Sequence, residues 1–396
     1  MSAMSEREER VYKPTYMELA ITQFCPNRCA HCGFGYGPYG KTLSEAVLSR
    51  LLKDSREEGI DAIHISGGEP FATPNTYHAV REANDDDISV ACITTSGFFG
   101  KTKESAKRVL QKLKDARYEP EGYFVRRKGK KEWRQSRFRI STDEFHQKYV
   151  PLRSVGNVID AYYEVFGPNN SLVISTRGTK TKTAERTILP MIERSLVARK
   201  LLAEKERYFS AGNFQLLLKH GMITIETGNI CDFGNAESLD DGAFDRIKVK
   251  ERLSLDAKYP LPCFGRLDLI HEDDIFVTGD GSVYPCCKFA APKIPRLNAG
   301  NVNEVTIGDI IARINDDNIM NALMFNGPAA LFYLVSDLML EKDPNYCNKP
   351  VSIKCKVCKD ILTDERMLEA LESKLEDSGA FKRKMRSLAA SIEQIV

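Results

Sequence analysis

Three cysteines, Cys25, Cys29 and Cys32, stand in a C-x3-C-x2-C run entered directly from the apolar stretch Met17 to Ile21. Three thiolates at that spacing fit one face of an iron–sulfur cube and leave its fourth iron without a protein ligand. Such an open position can take part in chemistry. Zinc, which also takes cysteine thiolates, is the competing reading, because His31 lies between Cys29 and Cys32. That histidine would have to fold back into a very tight loop, and zinc loops mostly present a second ligand pair further on.

A second signature follows a short β-like run: His64, Ile65, Ser66, Gly67, Gly68, Glu69, Pro70 and Phe71. Two glycines at a strand end let the backbone approach a small ligand without a Cβ in the way, and Glu69 brings an acceptor for an ammonium group. With the three cysteines one strand earlier, the chain resembles the radical S-adenosylmethionine (radical SAM) superfamily. The resemblance implies that Cys25, Cys29 and Cys32 hold a [4Fe-4S] cluster whose free iron chelates SAM, with Gly67, Gly68, Glu69 and Pro70 beside the methionyl amine. It further implies reductive cleavage of SAM to methionine and a 5′-deoxyadenosyl radical that abstracts a substrate hydrogen. A flavodoxin- or ferredoxin-type donor would supply the electron.

With 396 residues, 42% hydrophobic and 28% charged, the chain has room for one large domain and a smaller appendage. A net charge of +2 gives no general attraction to nucleic acid or anionic lipid. The segment MSAMSEREER lacks the apolar core of a signal peptide, and the apolar stretch Ala329 to Leu340 is broken by Ser336 and Asp337, so a cytoplasmic protein without a membrane span is expected. Eleven cysteines then read as ligands and buried thiols rather than disulfides.

Strand-like runs at Met17–Ile21, Ala62–Ser66, Ile88–Thr95, Arg137–Thr142, Leu172–Ser175 and Met222–Glu226 alternate with helical patterns. Helices are expected over Leu43–Glu58, with a Thr42/Glu45 capping box and Gly59 as terminator, and over Lys103–Ala116, Val155–Val165 and Thr183–Lys205. This alternation predicts an α/β fold with parallel strands wrapped by helices. Together with the resemblance it implies a partial (β/α)6 TIM-like radical SAM barrel, with functional residues just after the strand ends. The expected organisation is an N-terminal extension (1–15), the barrel (16–250), a SPASM- or twitch-like cluster domain (251–362) and a C-terminal helix (363–396). The basic run Arg126–Arg139, which contains Trp133, reads as a solvated hairpin, with an anion or acidic-peptide contact as the alternative.

Cysteines return as Cys263, Cys286, Cys287, Cys347, Cys355 and Cys358, with Cys286 following a GDG turn and Cys355/Cys358 forming a CxxC pair. These features, and the segment Asn301–Ile310, are similar to the SPASM or twitch extension of radical SAM enzymes. The likeness implies one auxiliary [4Fe-4S] cluster on Cys263, Cys286, Cys355 and Cys358, with Cys287 or Cys347 as substitutes. A structural zinc on the same thiolates is the alternative.

At the ends of the later strands, the resemblance implies that Ser96 and Ser141 lie near SAM, and Arg177 has the fork geometry to pair with its carboxylate. Asp143 and His146 are candidates for substrate binding or proton relay, and Cys231 for hydrogen-atom return to a substrate radical. The expected activity is hydrogen abstraction from an unactivated carbon, oxidising or cross-linking a peptide or peptide-derived natural product. A small-molecule dehydrogenase or epimerase acting on a sugar, aminoglycoside or nucleoside is the alternative, and a non-catalytic iron–sulfur or zinc scaffold a third. The 24 residues ahead of Cys25 are too few for a leader-binding domain, which keeps peptide and small molecule both open.

Overall fold

The computed structural model describes residues 12–127, 130–170, 172–178, 189–198, 202–210, 213–218, 221–240, 244, 246–258, 274–286 and 289–375. The chain divides into two compact units. One comprises Met17–Asp245 with Val277–Gly281, the other Met1–Tyr16, Arg246–Phe276 and Ser282–Val396.

In the first unit the elements run β1 (Tyr16–Thr22), α1 (Glu45–Glu57), β2 (Ala62–Gly67), α2 (Asn75–Asp85), β3 (Ser89–Thr95), α3 (Lys103–Asp115), β4 (Tyr123–Arg127), β5 (Lys130–Arg134) and β6 (Arg137–Ser141). They continue as α4 (Leu152–Phe166), β7 (Leu172–Gly178), α5 (Leu189–Ala198), β8 (Leu202–Ser210), β9 (Asn213–Leu218) and β10 (Gly221–Asn229). The sheet order is β1-β2-β3-β6-β7-β10-β9-β8. Pairing is parallel from β2 through β10 and antiparallel from β10 to β9 and β9 to β8. All six expected strands are present, each separated from the next by helix, which is the α/β architecture read from the sequence.

Three local expectations change. Helix α1 is capped by Ser44, whose side chain accepts the Val47 N–H, because Thr42 is used elsewhere: its hydroxyl bonds the Thr22 hydroxyl at 2.7 Å. The helix expected over Thr183–Lys205 is described over Leu189–Ala198, residues 183–188 and 199–201 lying outside the described residues, and Leu202 onward pairs with β9, so strand pairing there overrides a composition suited to helix. The basic run splits. Its first part forms the isolated antiparallel hairpin β4–β5, on which Trp133 is 52% exposed, whereas Arg137 and Arg139 belong to β6.

Strand β6 shows why this matters. Phe138 and Ile140 are buried on the same sheet face as Leu172 and Ile174, and Phe138 packs on Tyr162 of α4 with ring centres 5.2 Å apart. Period-two alternation puts Arg137, Arg139 and Ser141 on the opposite face, level with Ser175 of β7 and Glu226 of β10. One face is therefore an apolar seat for helices, and the other is polar.

The second unit contains β11 (Ile247–Lys248), α6 (Val249–Lys258), β12 (Asp274–Val277), β13 (Ser282–Tyr284), β14 (Gly300–Asn301), α7 (Ile307–Asp316), α8 (Asn318–Asn326), α9 (Pro328–Lys342), β15 (Pro350–Val351), α10 (Cys355–Leu362) and α11 (Glu365–Leu375). Strands β12, β13 and β14 are neighbours, and β11 pairs with β15. A Thr306/Asp309 capping box starts α7, within the segment Asn301–Ile310. Tyr12 is tied in by its hydroxyl, which donates to the Asp274 carbonyl at 2.7 Å, and by its N–H to Asn315. The apolar helix α9 is buried, and no helix among the described residues is long and apolar enough to cross a membrane. The expected C-terminal helix is described as far as Leu375; the remainder lies outside the described residues.

Candidate cofactor site

The loop after β1 carries the three cysteines, with Cys29 buried and Cys25 and Cys32 half-buried, none in a disulfide. Its backbone is fastened at several points. The Cys25 N–H donates to the Gly37 carbonyl at 2.8 Å, and the Cys32 N–H to the Cys29 carbonyl at 3.1 Å. Asn235, just beyond β10, binds it twice: its backbone N–H donates to the Cys32 carbonyl at 2.9 Å and its side-chain Nδ2 to the Cys29 carbonyl at 3.1 Å. This approach is possible because residue 234 is glycine. A Cβ there would sit 2.3 Å from the Gly33 carbonyl oxygen, and its φ of +61° is one that glycine adopts without strain. The Tyr149 hydroxyl holds the Arg28 carbonyl at 2.8 Å, and Cys29 packs with Phe145, Ile230, Ala236 and Phe244. Asn235 escaped the sequence reading; a Gly-Asn pair just past a strand end was its only local signal.

His31 is engaged by residues outside the loop. Its Nε2 lies 3.4 Å from Asp143 Oδ2, and its ring stacks on Phe145 at 4.7 Å. Asp143 is fully buried: Oδ1 accepts the N–H groups of Phe145 and His146, both at 3.0 Å, and Oδ2 accepts from His146 Nδ1 at 2.9 Å. Burial alone would raise the Asp143 carboxyl, but His146 and His31 hold it far below the usual carboxylate range. With both oxygens occupied, Asp143 braces the cysteine loop against the end of β6.

The Gly67-Gly68-Glu69 turn also packs closely on the end of β1. A Cβ on Gly68 would lie 2.1 Å from the Phe24 carbonyl oxygen, and one on Gly67 2.5 Å from that of Thr22. The glycines thus allow the ends of β1 and β2 to close on each other, with Gly68 N–H donating to Thr22 O at 2.6 Å and Glu69 N–H to Phe24 O at 2.9 Å. The Glu69 carboxylate, expected to face an ammonium, is buried and already engaged. Oε1 accepts from Thr95 Oγ1 at 2.6 Å and the Phe71 N–H at 3.3 Å, and Oε2 from the Ser96 N–H at 2.8 Å and Ser96 Oγ at 2.5 Å. It latches the end of β2 to the end of β3, and Ser96 spends its hydroxyl on that latch. Burial raises its pKa despite those four donors. Pro70 opens the short 3-10 turn that follows.

Further along the strand ends, Ser141 is half-buried opposite Ser175. Arg177 stands opposite Gly228, where a Cβ would meet its Nη1 at 1.6 Å, so the guanidinium lies along bare backbone. Burial, and then the charge of Arg139, press its pKa downward. Cys231 is half-buried after β10 and close enough to act electrostatically on Arg177.

Do these residues fit a cubane and SAM? The donor set does: burial pushes the Cys25 thiol up to about 12 and the Cys29 thiol higher still, so thiolates here call for a compensating cation. Buried polar atoms without a partner among the described residues, Asn27 Nδ2, His31 Nδ1 and Ser66 Oγ, are carried on the same loop and the end of β2, as expected of a site that takes a polar ligand. A single ion has a separate possibility, since ligand atoms of Cys29, His31 and His146 lie within 4.8 Å of one another. Cys29 belongs to both sets, so the two occupants exclude each other.

In the second unit Cys286 is buried just after β13, and Cys355 and Cys358 are buried one turn apart on α10. Cys347 is half-buried in the preceding 3-10 turn. Cys263 and Cys287 lie outside the described residues.

Two stretches of the chain match known protein families. Residues 19–121 match the radical SAM superfamily, and residues 269–325 match the SPASM iron–sulfur cluster-binding domain. The GTP 3',8-cyclase of Campylobacter jejuni (strain RM1221) is 36% identical over 92 residues, 22% of this chain and 28% of that protein. The GTP 3',8-cyclase of Limosilactobacillus fermentum is 29% identical over 111 residues, 27% of this chain and 33% of that one. The chain thus spans about a third or less of the length of these curated relatives. Among solved structures, Streptococcus suis SuiB bound to S-adenosylmethionine is 10% identical, with a TM-score of 0.41 over 82% of this chain and 70% of that chain. The protein anSMEcpe with bound AdoMet and the Cp18Cys peptide is 13% identical, with a TM-score of 0.44 over 95% and 99%.

Proposed function

As a member of the radical SAM superfamily with a SPASM-type iron–sulfur domain in its C-terminal third, this enzyme, we propose, abstracts a hydrogen atom from an unactivated carbon of a peptide or peptide-derived natural product and oxidises or cross-links it. When bound, its cofactors supply the chemistry: a [4Fe-4S] cluster gives one electron that cleaves SAM to methionine and a 5′-deoxyadenosyl radical, and an auxiliary cluster is a further redox centre. The observation that carries this reading is the cysteine loop, pinned by Asn235 at the carbonyls of Cys29 and Cys32 and set against the Gly67-Gly68 turn.

Each residue has a defined task. Cys25, Cys29 and Cys32 ligate, Asn235 and the Asp143 brace fix the loop, and the Glu69 latch keeps the ends of β2 and β3 together. The Ser141 hydroxyl and the Arg177 fork receive the polar end of SAM, Arg177 taking its carboxylate in bidentate fashion. Cys263, Cys286, Cys355 and Cys358 ligate the auxiliary cluster, and a small electron-transfer protein of flavodoxin or ferredoxin type reduces the enzyme. An extended substrate is supported by the β4–β5 hairpin inserted between β3 and β6.

A second reading, epimerisation of a small molecule, is favoured by the half-buried Cys231 thiol beyond β10, a suitable hydrogen-atom donor. Anaerobically reconstituted protein tests both. About eight irons per chain, 5′-deoxyadenosine formation and its loss in Cys25→Ala are expected. A product lighter by two hydrogens marks oxidation, whereas unchanged mass with turnover arrested by Cys231→Ala marks epimerisation. Iron-free protein that leaves SAM intact overturns the proposal.

A further inference from the structure

Ligand atoms of Cys29, His31 and His146 lie within 4.8 Å of one another. The first two residues belong to the loop after β1 and the third to the turn after β6, and Asp143 brings the two segments together. Its Oδ2 accepts from His146 Nδ1 at 2.9 Å and lies 3.4 Å from His31 Nε2. A carboxylate only accepts, so each imidazole turns an N–H toward it, and a neutral ring then carries its lone pair on the far nitrogen, Nδ1 of His31 and Nε2 of His146. A carboxylate that fixes tautomers in this way is the usual support behind metal-binding histidines.

His31 gives the second, independent sign of a ligand. Its side chain is 9% exposed, and Nδ1 is buried with no hydrogen-bond partner among the described residues. A buried polar atom left without a partner is costly, and a ligand that takes its lone pair offsets that cost. The ring cannot easily turn to find another partner, because Phe145 stacks on it at 4.7 Å and His146 stands edge-on to it at 4.8 Å. Cys29 packs with Phe145, Ile230, Ala236 and Phe244, which gives the group an apolar wall, whereas His146, 16% exposed, leaves a way in from solvent.

We propose that Cys29, His31 and His146 form a site for one zinc-like divalent ion in the iron-free protein, and that this ion and the N-terminal cluster exclude each other. One sulfur and two nitrogen ligands suit zinc and leave its fourth tetrahedral position open. Binding draws the ligand atoms in to the roughly 3.3–3.6 Å separations that tetrahedral zinc bonds require, and it releases the Cys29 thiol proton to solvent. The thiolate and the Asp143 carboxylate then balance the two positive charges. This is not a knuckle of the three loop cysteines, since it uses one of their thiolates and an imidazole from beyond β6. Because Cys29 cannot serve both occupants, zinc taken up first withholds a ligand from the iron. The exclusion rests on the cluster ligands proposed above; the ion site does not.

The test is anaerobic titration of full-length, iron-free protein with zinc, counted per chain. His146→Asn and His31→Gln place an amide donor where Nδ1 and Nε2 face Asp143, so the brace persists while the ligand nitrogen is lost. Each should weaken one zinc equivalent about tenfold or more, as should Cys29→Ser, whereas Cys25→Ala should keep that equivalent; thiols of the second unit contribute equally throughout. Wild-type zinc binding in both histidine variants would overturn the site. Loss of the same equivalent in Cys25→Ala would overturn it too, by assigning the ion to the three loop cysteines. For the exclusion, zinc is loaded before iron and sulfide in a Cys358→Ser background, where only the N-terminal cluster is expected. Zinc should block assembly there, and adding His146→Asn should restore it; assembly unimpeded by bound zinc would overturn the exclusion. Failure of the zinc-free protein to build any N-terminal cluster would instead sink the proposed function, while the zinc titration still reports on the site.

Discussion

Replacing Glu69 by alanine and by glutamine should have opposite consequences, and the pair separates a structural latch from a ligand contact. In Glu69→Ala the N–H groups of Ser96 and Phe71 lose their acceptor inside the protein, while the Thr95 and Ser96 hydroxyls can turn elsewhere. Each of the two buried donors left unsatisfied costs about 1–3 kcal/mol, and the vacated side-chain volume adds about 1 kcal/mol, so about 3–7 kcal/mol is expected in all. Glutamine can keep its amide oxygen on the Ser96 N–H, the shorter backbone contact, and donate from its NH2 to the Thr95 hydroxyl, which then accepts instead of donating, so the 3.3 Å contact to Phe71 is lost and the Thr95 bond is reversed. It also removes a carboxylate whose burial is unfavourable, as its raised pKa indicates, so a net change within about 1 kcal/mol is expected. Hydrogen exchange at the Ser96 and Gly97 amides, read alongside SAM affinity, is the assay, because it reports the local opening directly in a chain of two units. The latch predicts fast exchange and weak SAM binding in the alanine variant, with both preserved in the glutamine variant. Tenfold weaker SAM binding in Glu69→Gln with protection intact would refute the latch and restore the carboxylate as the ammonium's partner.

Gly228→Ala should leave the fold intact, since the displaced atoms are the far end of the flexible Arg177 side chain, yet weaken SAM binding about tenfold, about 1.4 kcal/mol, without changing iron content; equilibrium binding and iron analysis check it. Asn235→Ala removes one of the two bonds to the cysteine loop and leaves the Cys29 carbonyl short of a donor, so the N-terminal cluster should be lost faster in air, as followed by its visible absorbance. Cys358→Ser should lower iron from about eight to about four per chain while the Cys25, Cys29 and Cys32 site still fills. Zinc offered to iron-free protein should bind in a manner that depends on His146, whereas iron and sulfide incorporation should survive His146→Ala, because only the single-ion site uses that imidazole.

Much of the fold was readable in the chain itself. Six strands and the cysteine loop declare themselves by local means: apolar period-two runs, a Gly59 terminator at φ +87°, and ligands spaced within one loop. Local pattern misled where a residue's partner lies far along the chain. Thr42 looked like a helix cap but pairs with Thr22, Leu202 onward looked helical but pairs with β9, and Arg137 and Arg139 looked like part of a solvated basic run but meet Glu226.

The site divides along the same line. Which residues can ligate, and that a double glycine must sit at a strand end, follow from side-chain chemistry and backbone sterics, which belong to each residue alone, and the sequence by itself determined them. Tertiary structure alone decided that the glycines make room for β1, that Glu69 spends its carboxylate on Ser96 and Thr95, that Asp143 braces His31, and that Asn235 fastens a loop more than 200 residues away. The physical reason is that hydrogen bonds and ion pairs are satisfied by whatever the fold brings within about 3 Å, and a neighbour of that kind has no fixed place in the order of the chain.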